Sequence, residues 1–285
     1  MTPYVSIVYL TKNGGQLLKQ SLESVFLQKV DFPYEVIAVD SGSTDGSLST
    51  LKQFFPVRVY HVAPESFNFG LTRDYGFSLA NGDIVVAISQ DAVPVGEDWL
   101  NNLVSPFSDD SVAVVQGMDV LPTDVEVFYW DQIGLFYHTR DCKKWMEAYD
   151  NIGISFTCCA IRRVVWEEIP LGRVEMSEDK LFQKRARERG HKIYFQREAK
   201  DYHSHMYSVG SLSKRCENEG MGWHCVGITY TFFDMIRDIF KPFVITNLVK
   251  GLCTRRIKHL SEAVFPFIRP VFIYKGNKIT RYYVK

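Results

Sequence analysis

Five short runs of β-branched and apolar residues alternate with stretches of helical spacing over the first 117 residues. These runs are VSIVYL (5–10), YEVIAVD (34–40), VRVYHV (57–62), DIVVAIS (83–89) and VAVVQG (112–117). Strands separated by helices predict an α/β fold, with a mostly parallel sheet and helices on both of its faces. Right-handed crossovers bring the carboxyl ends of such strands to one edge, where sheets of this kind bind their ligands. We therefore expect functional residues directly after the strands.

Three polar segments follow predicted strands and should meet at that edge: TKN (11–13), DSGSTDGS (40–47) and SQDA (89–92). Asp40 ends its strand, Gly42 allows a tight turn, and Ser43 or Thr44 is placed to cap the next helix. A cap alone would be a structural role, but three converging segments favour a nucleotide site. The first strand is followed by TKNGGQ rather than by GxGxxG, which argues against a dehydrogenase or a methyltransferase.

The composition indicates a globular protein that is made and kept in the cytoplasm. Of its 285 residues, 46% are hydrophobic, which is ample for a sizeable core. There is no uncharged apolar window of about 18 residues, and the start MTPYVSIVYLTKN lacks the features of a signal peptide. The six cysteines form no CxxC pair, so that neither a disulfide framework nor a zinc site is indicated.

Five segments of the chain form an ordered series: VSIVYLTKN, EVIAVDSGSTDGS, FNFGLTRDYGFSLANGDIVVAISQDAVP, AIRRVVWEEI and MSEDKLFQKRARERGHKIYF. In this order they resemble the family 2 inverting glycosyltransferases, which have the GT-A (Rossmann-like) fold, over about the first 210 residues. Within that family, FNFGLTRDYG, SQDAVP and YHSHMYSVGSLSKR resemble rhamnosyltransferases that build bacterial surface polysaccharides. The resemblance implies a GT-A domain of residues 1–226, followed by a C-terminal helical extension of residues 227–285.

The same resemblance implies a set of residues that bind the nucleotide sugar: Thr11, Asn13, Asp40, Ser43, Arg73, Ser89, Gln90 and Arg215. Thr11, Asn13 and Asp40 would hold the nucleobase and the ribose. Arg73 would approach the diphosphate, and Arg215 is a further phosphate contact. Ser89 and Gln90 are expected near the sugar hydroxyl groups.

A divalent cation, Mg²⁺ or Mn²⁺, is implied by the segment SQDA, which aligns with the family's DxD element. Asp91 takes the place of the final, metal-binding carboxylate, whereas Ser89 replaces the first one and leaves the metal short of a ligand. In an extended chain His203 and His205 share a face and could supply the missing ligand. The alternatives are a strand-end carboxylate at Asp91 and histidines that form only structural hydrogen bonds.

The acceptor side is indicated by Glu178 and Asp179, which begin an amphipathic helical segment. Acidic residues at a helix N-terminus are stabilising in any case. The pair also matches the family's ED motif, whose Asp deprotonates the acceptor hydroxyl. The resemblance therefore implies that Asp179 is the catalytic base and that Glu178 helps to position the acceptor.

The net charge of zero conceals a basic C-terminus. Residues 234–285 contain 11 Lys and Arg against three Asp and Glu, and the remainder contains 22 against 30. Two interpretations of the extension stay open: it lies on an anionic membrane surface, or it packs on the preceding domain or on a second copy of the chain. No nucleic-acid-binding motif accompanies the basic residues, which argues against a nucleic-acid partner.

The expected function is inverting, metal-dependent transfer of L-rhamnose from dTDP-L-rhamnose to a glycan or lipid-linked glycan acceptor. The reaction would take place in the cytoplasm. If the extension binds a membrane, the protein would lie on the cytoplasmic face of the inner membrane. Two alternatives are a family 2 enzyme that uses a UDP-hexose and a non-catalytic module that binds sugar nucleotides. A nucleotidyltransferase is a weaker match, because TKNGG barely approximates the glycine- and lysine-rich loop that it needs.

Overall fold

The computed structural model describes residues 2–134 and 153–279. These residues form two compact units. The first unit contains residues 2–120, 153–173 and 179–203, and the second contains residues 121–134, 174–178 and 204–279. Residues 280–285 of the predicted extension, and residues 135–152 of the predicted GT-A domain, lie outside the described residues. The predicted boundary at residue 226, between a GT-A domain and a C-terminal extension, stays a prediction.

The first unit contains a sheet whose eight strands, within the described residues, have the order β3-β2-β1-β4-β7-β6-β8-β5. The strands are β1 (Val5–Thr11), β2 (Tyr34–Asp40), β3 (Arg58–His61), β4 (Ile84–Ser89), β5 (Val93–Pro94), β6 (Val112–Val120), β7 (Cys158–Arg162) and β8 (Lys192–Tyr202). β1 pairs in parallel with both β2 and β4, and β2 pairs in parallel with β3. The parallel arrangement predicted for the first four strands is therefore confirmed.

The strand that lies between β4 and β6 is β7, and it runs antiparallel to both of them. β6 then pairs in parallel with β8, and β5 pairs antiparallel with the end of β8. The sequence did not indicate β7, because a run as short as CCAIR cannot be assigned to a strand or a helix by its periodicity. The sheet is thus mixed, although parallel pairings outnumber antiparallel ones.

Helices cover both faces of the sheet, because alternate side chains of each strand point in opposite directions. Tyr9 of β1 belongs to the same buried cluster as Leu22 of α1, and the next residue along the strand, Val8, belongs to a second cluster with Phe77 of α3. The described helices are α1 (Gly15–Phe26), α2 (Ser47–Gln53), α3 (Phe69–Ser78), α4 (Trp99–Val104), α5 (Tyr129–Gln132), α6 (Arg163–Glu168), α7 (Glu178–Glu188), α8 (Val209–Cys225), α9 (Phe232–Ile239), α10 (Pro242–Cys253) and α11 (Leu260–Asn277).

The helix after β2 is not capped by Ser43 or Thr44, so this part of the sequence prediction is wrong. α2 begins only at Ser47, after Gly46, which has a φ of 95°. The Asp45 carboxylate accepts a hydrogen bond from the Ser47 N–H (3.0 Å). The Ser43 hydroxyl donates to the carboxylate of the strand-end aspartate instead, and it therefore remains at the edge of the sheet.

The second unit is helical, as predicted for the C-terminal extension up to residue 279. In it α8 and α11 approach so closely that a Cβ on Gly220 would lie 2.1 Å from the carbonyl oxygen of Ile273. The two helices also share a half-buried ion pair between Glu219 and Arg269, with 2.6 Å between Oε1 and Nη2. Among the described helices, none combines the length and the apolar character that crossing a membrane requires.

Candidate functional site

Hydrogen bonds join the loops that follow β1 and β2. Thr11 ends β1 and donates its hydroxyl to Oδ2 of Asp40, the last residue of β2 (3.1 Å). The N–H of Asn13 donates to the Ser43 hydroxyl (2.9 Å), and Asn13 Oδ1 accepts from the N–H of Thr44 (2.8 Å). Asn13 has a φ of 51°, a conformation that Asn tolerates better than most residues do. Four residues predicted to bind the nucleotide thus lie in one network.

Asp40 is the charged centre of this network and is fully buried. Burial alone would raise the pKa of Asp40, but hydrogen bonds from the Ser43 hydroxyl and N–H, the Gly42 N–H and the Thr11 hydroxyl lower it below its ordinary value. These four donors occupy the acceptor positions of the carboxylate. A nucleoside hydroxyl could reach Asp40 only by replacing a rotatable donor, and Ser43 and Thr11 carry the two rotatable ones.

Gln90 connects the loop after β4 to the loop after β1. Its Oε1 accepts from the N–H of Lys12 (2.9 Å), and its Nε2 donates to the carbonyl oxygen of Lys12 (3.0 Å). A Cβ on Gly14 would lie 2.8 Å from Gln90 Oε1, so the two loops leave no room for a side chain there. The amide of Gln90 therefore holds the loops together, and its predicted contact with the sugar stays a prediction.

Asp91 and His203 form the Asp/His pair at which the sequence predicted a metal. The Ser89 hydroxyl donates to Asp91 Oδ1, which lies 3.7 Å from His203 Nε2. This separation is too long for a hydrogen bond, but two ligand atoms about 2.1 Å from one cation would lie roughly 3–4 Å apart. Both residues belong to a group of Asp and His side chains that each offer one possible metal-ligand atom, and these atoms lie within 4.8 Å of one another. The carboxylate oxygen and the imidazole nitrogen thus fit Mg²⁺ or Mn²⁺.

Two further carboxyl groups, which the sequence analysis missed, lie beside His203. Asp119 Oδ2 is 3.5 Å from His203 Nδ1. Asp201 is fully buried and pairs in parallel register with Asp119. Burial and the charge of Asp119 raise the pKa of Asp201 well above its ordinary value. The signal for Asp201 was its position two residues before His203, since i and i+2 share one face of an extended chain.

Arg73 and Asp179 both lie near the buried thiol of Cys159 in β7. Burial and the Asp179 carboxylate raise the pKa of this thiol, whereas Arg73 and Lys180 act in the opposite direction. Arg73 is itself only 6% exposed, and its guanidinium lies 4.8 Å from the centre of the Phe156 ring. The residue predicted to meet the diphosphate and the residue predicted to be the base therefore lie near the same strand.

Glu178 and Asp179 are the first residues of α7, as the sequence predicted. Glu178 is buried. The carboxylate of Asp179 accepts from the Lys180 N–H (2.7 Å), and the Lys180 ammonium lies 3.3 Å from Asp179 Oδ2. That ammonium also donates to the carbonyl oxygen of Ile154, which ties the start of the helix to the segment before β7. Asp179 is thus held at a fixed place, and its role as a base stays a prediction.

The remaining two predicted residues lie in the second unit. Arg215 is a half-buried residue of α8. His205 is also half-buried, and its ring centre is 5.7 Å from that of Tyr207. The phosphate contact predicted for Arg215 and the metal contact predicted for His205 both stay predictions.

The family resemblance of the sequence is confirmed by comparison with known proteins. The model of glycosyl transferase family 2 matches residues 6–170, which is more than half of the chain. The chain is also 26% identical over 230 residues to the O-antigen chain rhamnosyltransferase RfbN of Salmonella typhimurium (strain LT2). That alignment covers 78% of this chain and 73% of the relative.

Solved structures confirm the predicted GT-A fold. The mannosyltransferase PcManGT from Pyrobaculum calidifontis, in complex with GDP-Man and Mn²⁺, matches with a TM-score of 0.61 and 15% identity, covering 97% of this chain and 86% of that one. The glucosyl-3-phosphoglycerate synthase of Mycobacterium tuberculosis, with Mn²⁺, UDP-glucose and phosphoglyceric acid, matches with a TM-score of 0.58 and 16% identity, covering 79% and 80%. Both of these structures contain Mn²⁺ and a sugar nucleotide.

Asp40→Asn should lower the free energy of unfolding by about 1–3 kcal/mol at pH 7, because the amide nitrogen would face buried donors. Asp45→Asn is the control and should cost less, since Asp45 bonds to Ser47 in an exposed position. The folded pKa of Asp40 is lowered, so the stability that its carboxylate adds is present above about pH 4 and is lost as the pH falls through the folded pKa. Urea unfolding measures both variants, and wild-type stability of Asp40→Asn would contradict this expectation.

Proposed function

Because the chain belongs to glycosyl transferase family 2, we propose that it transfers a sugar from a nucleotide-sugar donor to a glycan or lipid-linked glycan acceptor. The transfer would invert the anomeric configuration and depend on a divalent cation. The observation that carries this proposal is the separation of 3.7 Å between Asp91 Oδ1 and His203 Nε2, in the same unit as the loops after β1 and β2. It supports a cation site of the kind that holds the diphosphate of such donors.

The donor side is assigned to the residues at the carboxyl ends of β1, β2 and β4. Thr11, Asn13 and Ser43 would contact the nucleoside through the network around Asp40. Asp91 and His203 would hold Mg²⁺ or Mn²⁺. When bound, such a cation neutralises the negative charge that develops on a departing diphosphate.

The acceptor side is assigned to the start of α7. Asp179 would take the proton of the acceptor hydroxyl, whose oxygen then bonds to the anomeric carbon of the donor. The bond from that carbon to the diphosphate oxygen breaks in the same step, which gives inversion. Lys180 keeps the Asp179 carboxylate in place, and Glu178 would help to position the acceptor.

We further propose that the donor is dTDP-L-rhamnose. Support comes from the name of the Salmonella relative, an O-antigen chain rhamnosyltransferase, and from the segments FNFGLTRDYG and SQDAVP. Ser89 stands where the family has a carboxylate, and its hydroxyl donates to Asp91. A thymidine donor has no ribose 2′-hydroxyl, so it does not need an acceptor at this place.

The donor is tested by measuring hydrolysis and transfer with dTDP-rhamnose, UDP-glucose, UDP-galactose and UDP-N-acetylglucosamine in the presence of Mn²⁺. We expect a preference for dTDP-rhamnose that excess EDTA removes. Asp91→Asn should lose the stimulation by metal at an unchanged melting temperature, whereas the exposed Asp110→Asn should behave as wild type.

A preference for a UDP-hexose would refute the rhamnosyl assignment and leave the family unchanged. Saturable binding of a donor without turnover on any acceptor would identify a non-catalytic sugar-nucleotide-binding module. Full activity of Asp91→Asn, or of wild type in EDTA, would remove the role of the cation.

The base is tested with Asp179→Asn, which should lower kcat by about 10²-fold or more while the donor affinity stays the same. The amide cannot take a proton from the acceptor, but it preserves the shape of the side chain. Glu178→Gln is the matched control on the preceding residue and should change the KM for the acceptor more than kcat. An inactive Glu178→Gln beside an active Asp179→Asn would reverse the two assignments.

We also propose that the C-terminal helices lie on an anionic membrane at the cytoplasmic face of the inner membrane. Phe233 at the start of α9 is 83% exposed, and Phe240, just after that helix, is 67% exposed. Lys241 directly follows Phe240 in the chain, and Lys250 lies in α10. Exposed aromatic residues with adjacent cations are suited to an anionic lipid surface, where a lipid-linked acceptor would also be found.

Cosedimentation with vesicles tests this surface. Wild type should sediment with vesicles of anionic lipids and should dissociate as the salt concentration rises. The double variant Phe233→Ser, Phe240→Ser should lose this binding, while Phe55→Ser, at a 92% exposed position in the first unit, should retain it. If the double variant instead splits a dimer in analytical ultracentrifugation, the surface is an interface between two copies of the chain.

A further inference from the structure

The ring of His203 lies between the carboxylates of Asp91, in the loop after β4, and Asp119, in β6. The backbone N–H of His203 donates to the carbonyl oxygen of Val120 (3.1 Å), so that the residue continues the pairing of β6 with β8 by one step. Its Nε2 faces Asp91 Oδ1 at 3.7 Å, and its Nδ1 faces Asp119 Oδ2 at 3.5 Å. The side chain is buried, which leaves these contacts well defined.

The two carboxylates are not equivalent as partners of the ring. Asp91 Oδ1 already accepts a hydrogen bond from the Ser89 hydroxyl. Asp119 is mostly buried, and within the described part of the chain its Oδ1 has no hydrogen-bond partner. The oxygen that faces the ring is the other one, Oδ2, so a donor at Nδ1 would give this mostly buried carboxylate a hydrogen bond, whereas Asp91 Oδ1 has one already.

In a neutral imidazole one ring nitrogen carries a proton and the other carries a lone pair. The hydrogen bond that one nitrogen makes determines which of the two is protonated. With the proton on Nδ1, a small rotation of either side chain would let the ring donate to Asp119 Oδ2, which lies 3.5 Å away, and the lone pair of Nε2 would point toward Asp91. The other tautomer would place a lone pair against the carboxylate of Asp119 and would leave Nε2 unable to bind a cation.

We propose that Asp119 is a positioning residue that holds His203 in the Nδ1–H form and so presents its Nε2 to the divalent cation. This rests on the proposed function, because it assigns the partner of one of the metal ligands. Asp119 would not touch the cation. It would act through the imidazole, in the way that carboxylates commonly orient histidine ligands of metals.

Mn²⁺ affinity tests the proposal without reference to activity. The free Mn²⁺ signal in electron paramagnetic resonance, recorded with dTDP present, gives the affinity of wild type, Asp119→Ala and Asp119→Asn. Asp119→Ala should weaken Mn²⁺ binding by about 10- to 100-fold, the usual effect of losing such a partner. Asp119→Asn should recover part of the affinity, because its amide oxygen can still accept from Nδ1–H.

Asp201→Asn is the matched control. Asp201 pairs with Asp119 in the sheet and is equally part of the acidic cluster, but its carboxyl group lies against the thiol of Cys158, whereas the carboxylate of Asp119 faces His203 Nδ1. The Asp201→Asn change keeps the shape of the side chain and leaves the carboxylate that faces His203 Nδ1 in place. Mn²⁺ affinity should stay at the wild-type level. Equal weakening by Asp201→Asn and Asp119→Ala would overturn the proposal.

The tautomer of His203 gives a readout that does not depend on whether the alanine variant folds. Long-range ¹H–¹⁵N spectra of the metal-free wild type, assigned with His203→Gln, should show a protonated Nδ1 and an unprotonated Nε2. The reverse pattern would overturn the proposal. If wild type shows the expected tautomer but binds no Mn²⁺, the cation of the proposed function fails while the contact between Asp119 and His203 stands.

Discussion

The in-register parallel pairing of β1 with β2 and β4 determines where the polar loops of the site lie. Thr11 is opposite Asp40, and Leu10 is opposite Ser89, so the three strands end at almost the same level. Because the chain leaves all three at one edge, short hydrogen bonds can join the loops that follow. The nucleoside half of the proposed site is therefore fixed by the sheet, and the buried charge of Asp40 holds the loops to it.

The other half of the site is dominated by negative charge. Asp91, Asp119 and Asp201 lie around a single imidazole, and neighbouring carboxylates that are shielded from water destabilise one another. Burial raises the pKa of Asp201, and the charge of Asp119 raises it further, which is one response to this repulsion. A divalent cation beside Asp91 would be a second response. The repulsion between carboxylates that destabilises the folded protein would therefore favour binding of a divalent cation.

The local features of the fold and the site could be predicted from the sequence, whereas those that depend on pairing between distant segments could not. Asp40 at the end of β2 and Asp179 in the first turn of α7 follow from strand composition and from helix-start chemistry. The position of β7 between β4 and β6 depends on which edges meet in three dimensions. Asp119 reaches His203 only because β6 pairs with β8, and no local sequence pattern predicts that pairing. The hydrogen bonds between the Gln90 amide and the backbone of Lys12 could not be predicted either, because only the folded loops bring these groups close.

The place of β7 in the sheet also sets an order of events during synthesis. β4 and β6 are complete by residue 120, but the strand that lies between them begins only at Cys158. Until then the growing chain has the open edge of β4, whose residues from Ile84 to Ile88 become fully buried in the finished protein. Such an edge can pair with other chains and start aggregation. The residues of the nucleoside half have been synthesised at this stage, whereas the cation half must wait for β8. A truncated chain would therefore lack the cation half and would expose a strand edge that promotes aggregation.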